Sequence, residues 1–132
     1  MKLFQMSKDG GPESKVWGFF LIEWKRFFSV ALMHFADGSR EAYHSHAFNS
    51  ISWVLSGTLS EQPLHASQPN IYKPSRTPIR TARSMFHRVT SIGDTYVLTF
   101  RGPWAKTWHE YIPAEDKYLE LTSGRKVIWS SK

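Results

Sequence analysis

GSREAYHSHAFNSISWVLSG, residues 38–57, is the stretch whose reading decides the fold. It holds two histidines one residue apart, His44 and His46, between two glycines, Gly38 and Gly57. Tyr43 to Leu55 reads as extended chain, rich in aromatic and β-branched residues. Residues two apart on a strand share a face. His44 and His46 therefore project side by side, with Ser45 pointing away. Two imidazoles on one face are half of a metal site, and the rest of the chain must supply the other half.

Upstream, Val16 to Phe35 is the first sustained apolar run. It reads as two strands, about 16–22 and 26–35, joined through Glu23-Trp24-Lys25-Arg26. In the second, Phe27, Ser29, Ala31, Met33 and Phe35 share one face, while Phe28, Val30, Leu32 and His34 share the other. Asp37-Gly38 marks a tight turn, and Gly10-Gly11-Pro12 a turn or loop. Downstream, Ser56-Gly57 reads as a turn, with Thr58 to Leu64 as the partner strand. Pro74 and Pro78 make Ile71 to Arg83 an edge or a loop, because proline cannot donate to a ladder. Met85 to Ile92 is a short strand carrying His87, Gly93-Asp94 a turn, and Thr95 to Phe100 a further strand. Pro113 to Leu121 is expected to form a short helix, since Ala114, Glu115 and Asp116 suit a first turn. Lys126 to Ser130 is the last strand. Many short strands with turn signals between them indicate an all-β sandwich or barrel. No linker or repeat interrupts the 132 residues, which read as a single domain over 1–132.

Composition narrows the chemistry. There is no cysteine, so disulfides, thiolate metal sites and cysteine nucleophiles are excluded. That is compatible with the cytoplasm, as is an N-terminus without the long apolar core of a signal peptide. No run approaches the ~20 apolar residues of a membrane helix. The formal charge of +6 favours anionic partners. Arg76, Arg80, Arg83, Arg88 and Arg101, with Lys73, cluster in sequence around His87. Arginine suits bidentate recognition of carboxylate or phosphate. Arg80, Arg83 and Arg101 are candidate pocket residues, whereas strand parity turns Arg88 away from His87. Trp53, Tyr96, Phe48, Trp104 and Trp108 are candidates to line a pocket or fill the core. No RNA-binding motif accompanies these aromatics, and nucleic acid is not the expected partner. G-x-S-x-G, a Gly-rich phosphate loop and H-E-x-x-H are all missing.

His87, in the apolar setting Met85-Phe86-His87-Arg88-Val89, is the best third ligand for a site begun by His44 and His46. His34, on the preceding strand, reads as a pocket residue or a support for the ligands. His65 and His109 read as structural or surface residues. Glu61 reads as a solvent-facing carboxylate, or as a substitute ligand if its strand curls back toward the histidines.

From Gly38 the spacing runs five residues, His44, one residue, His46, three residues, Ser50, six residues, Gly57. This resembles the first motif of the cupin superfamily, and the likeness extends over about residues 27–100. It implies a small jelly-roll β-barrel, with a metal held between the motif-one histidines and a histidine of motif two. Two departures stand out. Ser50 occupies the place of the family's usual Glu ligand. Of the second motif only His87 is retained, with Arg76, Ala82, Ser84 and Ser91 where the pattern has Gly, Pro, Gly and Asn. The resemblance therefore implies a three-His site made of His44, His46 and His87. Three neutral imidazoles leave a divalent ion its full charge, which suits an anionic ligand. Fe2+ is the favoured ion, with Zn2+, Mn2+ or Ni2+ as alternatives, and with Fe2+ dioxygenation of a small anionic molecule is the natural reaction. Two other readings stay open. One is a non-enzymatic module binding a small anion or nucleotide. The other is a metal-free isomerase or epimerase of sugar nucleotides, using a histidine base and an acidic partner. The resemblance also implies a homodimer, for which the aromatic N-terminal strands are candidates.

Overall fold

The computed structural model describes residues 1–9, 15–38, 43–64, 66–112, 115–122 and 126–131. Eleven strands follow in order: β1 (Lys2–Asp9), β2 (Val16–Trp24), β3 (Phe28–Phe35), β4 (Tyr43–His44), β5 (Ser50–Pro63), β6 (Asn70–Tyr72), β7 (Ile79–Thr81), β8 (His87–Arg101), β9 (Thr107–Ile112), β10 (Lys117–Thr122) and β11 (Lys126–Ser130). All pairings are antiparallel. The fold is an all-β jelly roll. Among the described residues no helix is long and apolar enough to cross a membrane.

Two long strands organise the barrel. β5 and β8 pair along their whole length, from Ser50 opposite Arg101 to Pro63 opposite His87. The first part of β5 also pairs with β7, and the last part of β8 with β3, which extends the layer through β2 to β1. The last part of β5 pairs with β6, and the start of β8 with β4, which extends the other layer through β9 and β10 to β11. The ladder thus passes from one layer into the other. It does so at register shifts around Ser56.

Glycine makes the passage feasible. Gly57 has φ +85° and Gly93 φ +75°, both in the left-handed region. A side chain at Gly57 would lie 2.5 Å from the Asp94 carbonyl oxygen and would also press on Thr95. Gly93 has open space around it. Thr95, fully buried, fastens the corner: the Thr58 N–H donates to its hydroxyl oxygen at 3.1 Å, and the hydroxyl lies 3.1 Å from the carbonyl oxygens of Thr58 and Gly93. Ser56-Gly57 and Gly93-Asp94 are therefore bends within continuous strands. They are not the hairpin turns that the sequence suggested.

The core lies between the layers. β3 buries Ser29, Ala31, Met33 and Phe35 by strict alternation, while Phe27, grouped with them by parity, precedes the strand and is 48% exposed. Val16, Phe20, Val54, Leu59 and Val97 pack with Ala31, Met33 and Phe35. At about 1.5–3 kcal/mol for each fully buried large side chain, this cluster is the main source of cohesion.

The helix expected over 113–121 is not formed. Pro113 and Ala114 lie outside the described residues, as do Gly10-Gly11-Pro12 and His65. Asp116 has φ +47°, which no helical first turn accommodates, and Lys117–Thr122 is β10. Pairing on both sides, with β9 and β11, overrides the local first-turn signal. The stacked rings of Tyr111 and Tyr118, 4.5 Å apart, add a cross-strand contact.

Gly57→Ala should lower stability by roughly 2–4 kcal/mol, combining backbone strain with displacement of Thr95 and the Asp94 carbonyl. Gly93→Ala, strained but unobstructed, should cost about 1 kcal/mol. Urea titrations of the two variants against the parent measure the difference, and equal losses would refute this account of the corner.

Candidate metal centre

His44 ends β4, and residues 45–49 leave the strand before β5 begins. The extended segment expected from Tyr43 to Leu55 is therefore broken. Main-chain bonds hold the break in place. The Ser45 N–H donates to His109 O at 2.8 Å, and the His109 N–H returns to Ser45 Oγ at 3.0 Å. The His46 N–H donates to Arg83 O, and Asn49 Oδ1 accepts the Arg83 N–H at 2.7 Å. So anchored, His46 still turns to the same side as His44.

His87 opens β8 and lies opposite His44 in the ladder. The three rings form a near-equilateral triangle, with centroids 4.7 Å (His44–His46), 5.1 Å (His44–His87) and 5.0 Å (His46–His87) apart. One nitrogen from each lies within 4.8 Å of the other two. The Nε2 atoms of His46 and His87 share a hydrogen bond at 2.9 Å.

Behind His87 stands Glu61, and here the sequence expectation needs correction. Glu61 is buried, not solvent-facing, with 5% of its surface exposed. The bend at Gly57 returns the second half of β5 to the cavity, and Leu59 and Glu61 share its inward face. The His87 Nδ1–H donates to Glu61 Oε2 at 2.7 Å. Asn70 Nδ2 and the Tyr72 hydroxyl, both on β6, donate to Oε1 at 3.3 and 3.2 Å. Burial alone would raise the Glu61 carboxyl. The bond and charge of His87, with the bonds from Asn70 and Tyr72, outweigh it and hold the group below its ordinary value. An ionised Glu61 keeps the His87 proton on Nδ1 and leaves the Nε2 lone pair facing the other imidazoles. Burial is also the largest cause lowering His46 well below the usual histidine value, followed by the charges of His44, His87 and Arg101.

These features fit a divalent ion. Imidazole suits iron, zinc, copper and nickel. A ligand must be neutral, which the His46 environment favours, and oriented from behind, which Glu61 does for His87.

A cavity of about 90 Å³ opens beside the imidazoles. His44, His46, His87, Glu61 and Arg101 line it, with Ser50, Ser52, Thr81 and Thr99 and an apolar wall that includes Met33, Phe35, Phe48 and Val97. Of the pocket candidates, Arg101 reaches the cavity. Its guanidinium carbon lies 4.6 Å from the Phe48 ring and 5.3 Å from the Phe20 ring. Phe48 also lines it, whereas His34, Tyr96, Trp53, Arg80 and Arg83 are not among the lining residues, and alternation explains those that lie on strands. His34 lies between inward Met33 and Phe35; its ring stacks on Tyr96 at 4.8 Å, and its Nε2 is 3.7 Å from Asp94. Tyr96 lies between inward Thr95 and Val97 and is 42% exposed. Trp53 packs edge-on against Phe100 and donates to Arg76 O at 3.1 Å. Arg80 lies between inward Ile79 and Thr81, and Arg83 is exposed, serving the site through its main chain. Arg88 sits over Tyr43 at 4.8 Å, on the side its parity required.

Comparison with known proteins supports the fold. No protein-family model matches the chain, and no curated protein matches it either. Solved structures do. A polyketide cyclase from Streptomyces resistomycificus superposes with TM-score 0.71 at 13% identity, covering 86% of this chain and 83% of its own. A sugar phosphate isomerase from a cupin superfamily, from Silicibacter pomeroyi, gives 0.65 at 13% identity, covering 95% and 89%. A cupin-2 domain from Rhodospirillum rubrum gives 0.64 at 10% identity, covering 83% and 76%.

Two outcomes follow from the Glu61–His87 pair and from His46. Glu61→Gln should preserve the fold yet weaken metal binding by about 10–100-fold, read by competition with a chelator. In metal-free protein, the unfolded chain protonates His46 before the folded one does. Stability should therefore fall as pH drops below about 6.5, and fall further once Glu61 is protonated below its ordinary range. Thermal melts from pH 7 to about pH 3 check this, and His46→Gln should remove the first decline and keep the second.

Proposed function

We propose that this cupin-fold barrel binds a divalent metal ion, Fe2+ by preference, through His44, His46 and His87, and acts on a small anionic molecule. The observation that carries the proposal is the triangle of imidazoles at a cavity wall, with Glu61 behind His87. When bound, Fe2+ would supply reactivity toward O2 and a Lewis acid for the substrate, which makes dioxygenation the natural reaction. The remaining roles belong to this chain's residues. Glu61 fixes the His87 tautomer and ring orientation. Arg101 supplies the cation that orients an anionic substrate. Phe35, Phe48 and Val97 keep water from the reacting groups.

A second reading draws on the same pair. His87 Nε2 is a base held in position by a buried carboxylate, the acidic partner that metal-free proton transfer requires. An isomerase or epimerase of a small sugar derivative would use it so. The cavity of about 90 Å³ favours compact substrates over an enclosed nucleotide, since drug-sized sites span roughly 300–1,000 Å³.

Metal content decides between the readings. Protein from metal-supplemented growth should carry close to one equivalent by plasma mass spectrometry, and the His44→Ala/His46→Ala variant less than about a tenth of that. Equally low occupancy in both would refute the metal centre and leave proton transfer as the better account.

A further inference from the structure

Beyond Phe48 from the imidazoles, three paired strands present a polar row to the cavity. Thr81 of β7 and Arg101 of β8 both lie opposite Ser50 of β5. In the next row, Ser52 lies between Ile79 and Thr99, and Ser52 Oγ donates to Thr99 Oγ1 at 2.9 Å. Thr81, Thr99 and Arg101 are buried, with 7%, 4% and 6% of their surfaces exposed. Directly opposed residues sit about 5 Å apart at Cβ, so Thr81, Ser50 and Arg101 form one row, and all three line the cavity.

Packing alone does not call for this row. The same wall carries Met33, Phe35 and Val97, and hydroxyls and a guanidinium are costly to bury there. Phe48 links the row to the imidazoles: its ring is 5.2 Å from His46 and 4.6 Å from the Arg101 guanidinium carbon. A ligand held at the row would therefore lie beside the candidate metal centre.

We infer that Arg101, Ser50 and Thr81 form the seat of a substrate carboxylate, and that the substrate is a compact monocarboxylic acid. One planar guanidinium flanked by neutral hydroxyls matches the shape and single charge of a carboxylate. A phosphate dianion calls for more positive charge, and the Glu61 carboxylate lines the same cavity. The volume of about 90 Å³, set against about 30 Å³ for each water in the liquid, keeps the acid small. The apolar wall would meet its short carbon skeleton. A second oxygen or nitrogen donor on the acid would face His44, His46 and His87, and this last feature alone rests on the proposed metal centre.

Calorimetric titration on protein of measured metal content tests the inference. The probes are lactate, pyruvate and benzoate, set against inorganic phosphate and adenosine monophosphate. At least one carboxylate should bind, and neither phosphate compound should compete with it. Arg101→Met should weaken carboxylate binding at least about tenfold while metal content stays unchanged. Ser50→Asp, which places an internal carboxylate opposite Arg101, should abolish carboxylate binding and remain folded even where Arg101→Met does not. Preference for the phosphate compounds, no carboxylate binding to wild type, or undiminished binding in Ser50→Asp would each overturn the seat. The His44→Ala/His46→Ala variant separates the two proposals. Carboxylate binding retained in that variant, together with a wild type that carries no metal, would uphold the seat and defeat the metal centre. Stoichiometric metal in wild type without carboxylate binding would do the reverse.

Discussion

The ladder between β5 and β8 bends at Gly57 and Gly93, and the inward residues at both of its ends line one cavity. A flat ladder of this length would hold Ser50 and Arg101 far from Glu61 and His87. The bend folds it so that one end contributes a carboxylate–imidazole pair and the other a guanidinium with hydroxyls. Thr95 fastens the corner from inside, through bonds to both flanking segments. The barrel's closure and the assembly of its site therefore depend on the same few residues.

Electrostatics give the cavity a direction. Glu61 is a buried carboxylate made tolerable by three hydrogen-bond donors from two strands. Arg101 is a buried guanidinium resting on Phe20 and Phe48. His46 senses Arg101, His44 and His87 together and is driven toward its neutral form. A neutral imidazole pairs with a metal or accepts a proton, and a charged one does neither. The same environment thus serves either reading of the reaction, which is why metal occupancy, and not geometry alone, separates them.

The sequence made the local pattern legible and left the long-range geometry hidden. Alternation on β3 separated its two faces without saying which is buried, and the His-x-His spacing with His87 named three imidazoles that the fold brings together. Parity also placed Arg88 outside. The misreading of the corner has a physical cause: a glycine bend inside a strand and a glycine turn between strands look alike in sequence. With Gly57 and Gly93 read as turns, the return of Glu61 toward the histidines is only a minor alternative, and nothing in the sequence places Arg101 opposite Ser50. Sharing a face with Leu59 is the further signal for Glu61. His34, Tyr96, Trp53 and Arg80 were chosen for their chemistry, although each has inward-facing neighbours on either side. At β10, pairing with two neighbours defeated a helix signal carried by three residues.

X-ray absorption at the metal edge, on protein from metal-supplemented growth, tests the central claim most directly. The account predicts a transition metal whose inner shell contains three imidazole nitrogens at about 2.0–2.2 Å, with oxygen donors filling the rest. A spectrum without imidazole scattering, or a protein that retains no transition metal, would contradict it.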